Sequence, residues 1–264
     1  MDRLKELLSK KPKNIEEIAL WMDELVEIAS ENINNNFSPR RLSKGLRSTE
    51  PLPTDTRQLS SFRTRIGTML EYALSTELDR IIREHNGDGF YFTFAVSHEY
   101  PDFYLRDNTL ARLLRIEMKA VDADSDEQAA RFGVPTVEIE NDNDLLLLVG
   151  WKWEPLLIEE KEIGEYPHIF VSMVLPAKDI VSERDKRLEI AGGKIEGREV
   201  LVPKRGQSDQ FVVDPGNYGK FWRLVHGSRR NSKDLAPSVN RFLEFLKIID
   251  EQSPNSRFKN EDDK

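Results

Sequence analysis

The first third of the chain places hydrophobic residues at helical spacing. Residues 1–33 predict one or two helices, and the Asn and Pro residues of 34–60 predict a loop. A second apolar stripe, over 66–81, predicts a long helix that begins at Ser60 or Ser61 and ends near Glu84. We therefore expect helices before the first strand.

Strand patterns follow in the middle of the chain. Five segments rich in apolar, aromatic or β-branched residues predict strands: 90–96, 101–106, 111–121, 145–153 and 168–175. Further helices are predicted over 126–132, 176–190 and 238–251, and loops with short strands over 191–219. The continuous apolar run at 145–153 is typical of a strand covered on both faces. The order helix, three strands, helix, strand predicts a three-layer α/β domain.

Composition limits the classes of function. The 264 residues are 38% hydrophobic and 33% charged, enough for a core with a highly charged surface. With no cysteine, disulfides, cysteine-zinc sites and thiol nucleophiles are excluded. The sequence has no apolar run of membrane-spanning length and no signal-peptide core. We expect a cytoplasmic protein that does not bind membranes.

Charge is distributed unevenly along the chain. The net charge is -8, but 38–68 and 204–233 each hold seven basic and two acidic side chains. Such segments can contact DNA phosphates even on an acidic protein, although solvated loops would show the same pattern. We take these residues as DNA-binding candidates: Arg40, Arg41, Lys44, Arg63, Arg65, Lys204, Arg205, Lys220, Arg223, Arg229 and Arg230.

The segment YPDFYLRDNTLARLLRIEMK, residues 100–119, carries the candidate chemistry. Side chains alternate faces along a strand, so Glu117 and Lys119 point the same way. A turn at Asp107 and Asn108 would bring Asp102, on the preceding short strand, back beside them. Two neighbouring carboxylates repel each other and favour a hard cation such as magnesium or manganese. The lysine can orient an attacking water or stabilise charge on phosphorus.

These residues resemble the PD-(D/E)xK nuclease superfamily, which includes type II restriction endonucleases. Pro101 and Asp102 match the PD element, and residues 117–119 match ExK, with 14 residues between the two acids. In the helix before the strands, the superfamily often carries another acid, which RIGTMLE places at Glu71. The resemblance covers about residues 60–175 and implies the restriction-endonuclease-like core, αβββαβ, with a mixed central sheet flanked by helices.

The resemblance also implies a function and a division of the chain. Asp102, Glu117 and the backbone carbonyl of Met118 would bind magnesium, for which manganese can substitute. Lys119 would position the water, and Glu71 would hold or tune a second metal. We expect a type II site-specific deoxyribonuclease that acts on double-stranded DNA as a homodimer. The nuclease core would span 60–190, with a helical and loop segment at 1–59, a DNA-contacting extension at 191–253 and a disordered tail at 254–264.

The residues also permit other interpretations. Glu117 and Lys119 can form an ordinary ion pair, and Asp102 can be a turn residue after proline. Glu71 can be a solvated helix acid or can pair with a nearby arginine. At the level of function, a DNA repair or junction-resolving nuclease would share the same core. A DNA-binding or interaction protein without catalysis would use the acids and the lysine as an ion-pair network.

Overall fold

The computed structural model describes residues 2–36, 52–86, 89–95, 100–125, 132–206, 210–214 and 235–253. In these ranges the helices are α1 (Asp2–Ser9), α2 (Ile15–Asn36), α3 (Thr56–Asn86), α4 (Ala177–Ile190) and α5 (Pro237–Gln252). The strands are β1 (Phe90–Phe94), β2 (Phe103–Asp107), β3 (Arg112–Asp122), β4 (Asp144–Ile158), β5 (Lys161–Pro176), β6 (Lys194–Glu196), β7 (Glu199–Pro203) and β8 (Phe211–Val213). The protein is therefore of mixed α and β structure.

Five strands form one mixed sheet in the order β1-β2-β3-β4-β5. Three neighbouring pairs are antiparallel, whereas β3 and β4 run parallel, with Glu117 opposite Leu146 and Lys119 opposite Leu148. A parallel pair needs a crossover connection, which the chain between β3 and β4 supplies. The last three strands form a small antiparallel sheet, β6-β7-β8.

Hydrophobic cores lie on both faces of the five-stranded sheet. On one face, α1, α2 and α3 pack against residues such as Phe103, Leu114 and Ile116. On the other face, α4 and α5 pack against Leu146 and Leu148. The successive leucines of β4 are buried on both sides, as its continuous apolar run predicted. Helices, sheet and helices thus form the layers that the sequence predicted.

Glycine at position 150 lets α5 approach β4 closely. A Cβ atom placed there would lie 2.3 Å from Ile249 Cδ1 and 2.6 Å from Val171 Cγ1. The pairing of β4 with β5 also shifts at this point, since Gly150 faces Val171 while Trp151 faces Ile169. The extra residue between them forms a bulge, and the missing side chain makes room for the helix.

Side chains from two helices accept hydrogen bonds from three backbone N–H groups of the border strands. On β5, the N–H groups of Ile169 and Val174 donate to Asn34 Oδ1 at 3.0 Å and to Asp23 Oδ1 at 2.8 Å. On β1, the N–H of Phe92 donates to Asp79 Oδ1 at 2.9 Å. Unpaired groups on an edge strand otherwise attract further strands, so these bonds protect the sheet.

The start of α3 corrects one prediction. The helix begins at Thr56 rather than at Ser60 or Ser61. Asp55 provides the cap, because the N–H of Gln58 donates to Asp55 Oδ1 at 2.9 Å. Aspartate is as good a capping residue as serine, and the choice among several candidates depends on tertiary packing.

Other boundaries agree with the sequence to within a few residues, with two extensions. Both β4 and β5 continue past their apolar runs into the acidic segment and meet in a tight hairpin at Glu159 and Glu160. Residues 126–131 of the second predicted core helix lie outside the described residues, as does the predicted tail at 254–264.

Candidate metal and phosphodiester site

The structure brings together the four acidic and basic residues that the sequence singled out. Glu117 and Lys119 belong to β3, Asp102 immediately precedes β2, and Glu71 lies in the middle of α3. The strand pairing explains the meeting of the first three, because Phe103 pairs with Ile116 across β2 and β3. Asp102 is thereby held beside the Glu117–Lys119 segment.

Asp102 is anchored to the neighbouring strand through its carboxylate. Its Oδ2 accepts a hydrogen bond of 2.7 Å from the backbone N–H of Met118 and lies 3.9 Å from Lys119 Nζ. The N–H of Ala95 donates to the backbone carbonyl of Asp102 at 2.9 Å. These bonds fix the residue at the junction of three strands, where one oxygen is engaged and the carboxylate remains partly exposed.

Lys119 bridges the other donor groups of the site. Its Nζ lies 2.5 Å from Glu117 Oε1 and donates to the carbonyl oxygen of Met118 at 3.0 Å. Glu117 is only 8% exposed, and its second oxygen, Oε2, is buried with no hydrogen-bond partner. A buried carboxylate oxygen without a partner is costly, which makes it a candidate metal ligand.

Glu71 interacts electrostatically with the other charged side chains of the cluster. Partial burial and the carboxylates of Asp102 and Glu117 raise its pKa to about 7, against a smaller opposing effect of Lys119. An aspartate, two glutamates and a lysine are therefore close enough to interact electrostatically. Glu71 is partly buried rather than fully solvated.

The buried pair in β3 also has displaced pKa values. Burial raises the pKa of Glu117, and Asp102 adds to this while Lys119 opposes it. Burial lowers the pKa of Lys119, but the surrounding carboxylates more than offset that effect and leave it above its ordinary value. Lys119 is therefore a stable cation in this arrangement.

The donor set suits a hard cation, although its present arrangement is that of an ion-pair network. Carboxylate and backbone carbonyl oxygens are the ligands that magnesium prefers, and Glu117 Oε2 is left without a hydrogen-bond partner. In the described part of the chain, however, no three acidic or histidine side chains are grouped as a ready metal site. Lys119 Nζ occupies the region between Glu117 and the Met118 carbonyl. Metal binding therefore requires this ammonium to move aside.

The structure places only some of the predicted DNA-binding residues. Arg63, on α3, forms a 2.7 Å ion pair with Asp122 at the end of β3, so its charge is already paired. Arg65, Lys204 and Arg205 are exposed. The remaining candidates lie outside the described residues: Arg40, Arg41, Lys44, Lys220, Arg223, Arg229 and Arg230.

A second polar cluster beside the site was missed by sequence reasoning. Arg115 Nε and Nη2 contact the two oxygens of Asp144, which is buried at the start of β4, and the guanidinium lies 5.2 Å from the ring centre of Tyr100. Burial raises the pKa of Tyr100 above its ordinary value. Asp144 lies in an acidic run, NDND, and nothing local distinguishes it from its exposed neighbours. The ion pair between Arg115 and Asp144 joins β3 to the start of β4, two residues before Glu117.

Comparisons with known proteins give no family. No protein-family model matches the chain, and no curated protein matches it significantly. Within the ranges that the structure describes, no helix combines the length and the apolar character needed to cross a membrane.

Proposed function

We propose that this protein is a magnesium-dependent endonuclease that hydrolyses phosphodiester bonds of double-stranded DNA. One observation carries the proposal: Asp102, Glu117 and Lys119 meet through a hydrogen bond and ion pairs on β3, and Glu71 of α3, up to 48 positions away in the sequence, interacts electrostatically with them. Clusters of buried carboxylates with a lysine are costly to stability, and such clusters concentrate at functional sites.

Each residue has a defined part in the proposed chemistry. Asp102, Glu117 and the carbonyl oxygen of Met118 would hold magnesium, which supplies Lewis acidity at the scissile phosphate. Lys119, a stable cation, would donate hydrogen bonds to the attacking water and to the developing negative charge on phosphorus. Glu71, with a pKa of about 7, would hold a proton near neutral pH or release it to join the metal site.

Within this class we propose a type II restriction enzyme. A palindromic target would require a homodimer, because a two-fold protein reads a two-fold site. Manganese, which has similar oxygen preferences, should substitute for magnesium. A repair or junction-resolving nuclease is the alternative on the same residues.

One observation favours a second candidate function. Lys119 already neutralises Glu117 at 2.5 Å, and the described residues present no ready metal group. A protein that binds DNA or another partner without cutting would need this network for stability alone. The two functions differ in whether magnesium produces cleavage.

Cleavage of plasmid DNA tests the proposal. The purified protein is incubated with supercoiled plasmid and with bacteriophage DNA in magnesium, in manganese and in EDTA, and the products are separated on gels. Lys119→Ala should reduce cleavage at least 100-fold while DNA binding in EDTA stays within about threefold of the original. Discrete fragments indicate restriction, and structure-dependent nicking indicates repair.

A matched variant separates catalysis from ion pairing. Lys194 pairs with Glu196 two residues away on β6, the same spacing as Lys119 and Glu117. Lys194→Ala should therefore leave cleavage unchanged. Binding without metal-dependent cleavage by the unaltered protein, or full cleavage by Lys119→Ala, would contradict the proposed nuclease.

A further inference from the structure

An exposed pair of aromatic rings joins α3 to the end of β1. Tyr72, on α3, and Phe94, at the end of β1, stack with centroids 5.5 Å apart and planes inclined by 16°. Tyr72 is 64% exposed and Phe94 38%, and among the described residues these are the exposed aromatic side chains. The ring of Tyr72 is thus held by Phe94 while much of it stays open to solvent.

The pair is connected to the proposed catalytic residues on both sides. Tyr72 directly follows Glu71 in α3. Phe94 pairs with Phe103, which follows Asp102, and the next residue, Ala95, donates its N–H to the Asp102 carbonyl at 2.9 Å. The pair therefore belongs to the helix that carries Glu71 and to the strand whose end is bonded to the backbone of Asp102.

The outer line of α3 continues this surface. Arg65, Thr68, Tyr72 and Thr76 are exposed and follow one another at spacings of three and four residues, so they share one face of the helix. Arg65 lies about 10 Å from Tyr72 along the helix axis at the usual rise per residue. A cation and an aromatic ring in line are groups with which proteins bind an unpaired nucleic-acid strand.

We propose that Tyr72, supported by Phe94, is a stacking site for an unpaired nucleobase of the DNA, adjacent to the phosphodiester that is cut. This inference rests on the proposed nuclease function and specifies its substrate. A base inside a duplex has both faces covered by its neighbours, whereas an unpaired base offers a face to the tyrosine. The unpaired base can come from a single-stranded extension or from a nucleotide flipped out of the duplex.

Binding in EDTA tests the site without cleavage. Three oligonucleotides carry the fluorescent base 2-aminopurine: a duplex with a single-stranded extension, a duplex with one extrahelical nucleotide, and a blunt, fully paired duplex. Stacking on Tyr72 should quench the fluorescence of the probe in at least one of the first two. Tyr72→Ala should weaken binding of that DNA about tenfold and restore its fluorescence, with blunt-duplex binding unchanged.

A conservative variant and the nuclease assay distinguish failure of the stacking site from failure of the proposed nuclease function. Tyr72→Phe keeps the ring and should bind within about twofold of the original protein. Equal binding of all three DNAs by Tyr72→Ala and the original protein, or an equal loss for all three, would overturn the stacking site. Absence of magnesium-dependent cleavage in a protein that still shows Tyr72-dependent quenching would overturn the nuclease and keep the stacking site.

Discussion

The carboxyl group of Glu71 interacts electrostatically with the other charged groups of the site, so its contribution to stability depends on pH. Its pKa is raised from 4.5 to about 7 by burial and by Asp102 and Glu117. Between these values the unfolded chain releases its proton while the folded protein retains it. Stability is therefore fully present below about pH 4.5 and is lost as the pH rises through about 7.

Replacing this group should remove that dependence. The difference in unfolding free energy between Glu71→Gln and the original protein should shift in favour of the variant as the pH rises from 5 to 8. The expected shift is about 1–2 kcal/mol after allowing for solvent screening. Urea denaturation at both pH values, without divalent ions, measures the difference.

A glutamate on the same helix provides a control of opposite sign. Hydrogen bonds from Arg80 lower the pKa of Glu77, with burial opposing and Asn32 adding to the effect. Glu77→Gln should therefore lose stability at pH 8 relative to acid pH. If the unfolding free energies of the two variants changed with pH in the same direction, Glu71 would not have the raised pKa that the cluster gives it.

The sequence indicated the proposed catalytic residues but not the ion pairs that hold the neighbouring elements together. Asp102, Glu117 and Lys119 follow from a local pattern, since alternation along β3 and one turn bring them together. The partnerships of Arg63 with Asp122 and of Arg115 with Asp144 join residues 59 and 29 positions apart. No local pattern distinguishes such acids from solvated ones, because the partner is chosen by the packing of α3 and β4.

Among the secondary-structure elements, two glycines with different surroundings predict opposite effects of the same substitution. At Gly150, an added Cβ would lie 2.3 Å from Ile249 Cδ1, so Gly150→Ala must push α5 away from β4. We expect a loss of about 1–3 kcal/mol of unfolding free energy. At Gly67, in α3, the nearest atom is Ala120 Cβ at 3.8 Å, an ordinary contact.

Gly67→Ala is therefore the matched control. It should stabilise the protein by about 0.5–1 kcal/mol, since alanine favours the helix and restricts the unfolded chain. Chemical denaturation of both variants measures the changes. Ile249→Val in the Gly150→Ala background should recover part of the loss, and equal stabilities for the two alanine variants would contradict the close packing of α5.

The hairpin between β4 and β5 has a turn sequence that its backbone disfavours. Glu159 and Glu160 have φ values of 48° and 65°, a conformation that glycine and asparagine adopt more easily. The double substitution Glu159→Asn with Glu160→Gly should therefore stabilise the protein by about 1 kcal/mol, because it introduces the dipeptide that such turns prefer. Thermal unfolding measures the gain, and a lower midpoint would show that the glutamates have another structural role.

This turn also explains a limit of the sequence prediction. The strand cores and most helices were predicted from their periodicity, but the extensions of β4 and β5 through an acidic segment were not. A two-residue hairpin is usually indicated by Asn-Gly or Asp-Gly, and two glutamates give no such signal. The strands extend because each supplies the other's hydrogen bonds along their length.

At the scale of the molecule, uneven charge predicts the salt dependence of DNA binding. The net charge is -8, so the phosphate contacts of the proposed nuclease must come from local basic groups such as the exposed Arg65. Arg65→Ala should weaken binding and reduce the slope of log affinity against log salt by about one. Binding measured from about 50 to 200 mM salt gives this slope.

Another arginine of α3 serves as the control. Arg83 forms a 2.9 Å ion pair with Asp79 one turn away, so its charge is locally neutralised. Arg83→Ala should leave the slope unchanged. Equal slopes for Arg65→Ala and the original protein would place the DNA on another surface.

Both border strands of the sheet have backbone N–H groups bound by helix side chains, Asn34 and Asp23 on β5 and Asp79 on β1. These positions are therefore poor templates for the growth of fibrils from the native state. Self-association through cross-β structure would first require α2 or α3 to detach, so the rate of fibril formation should follow local opening of these helices rather than protein concentration alone.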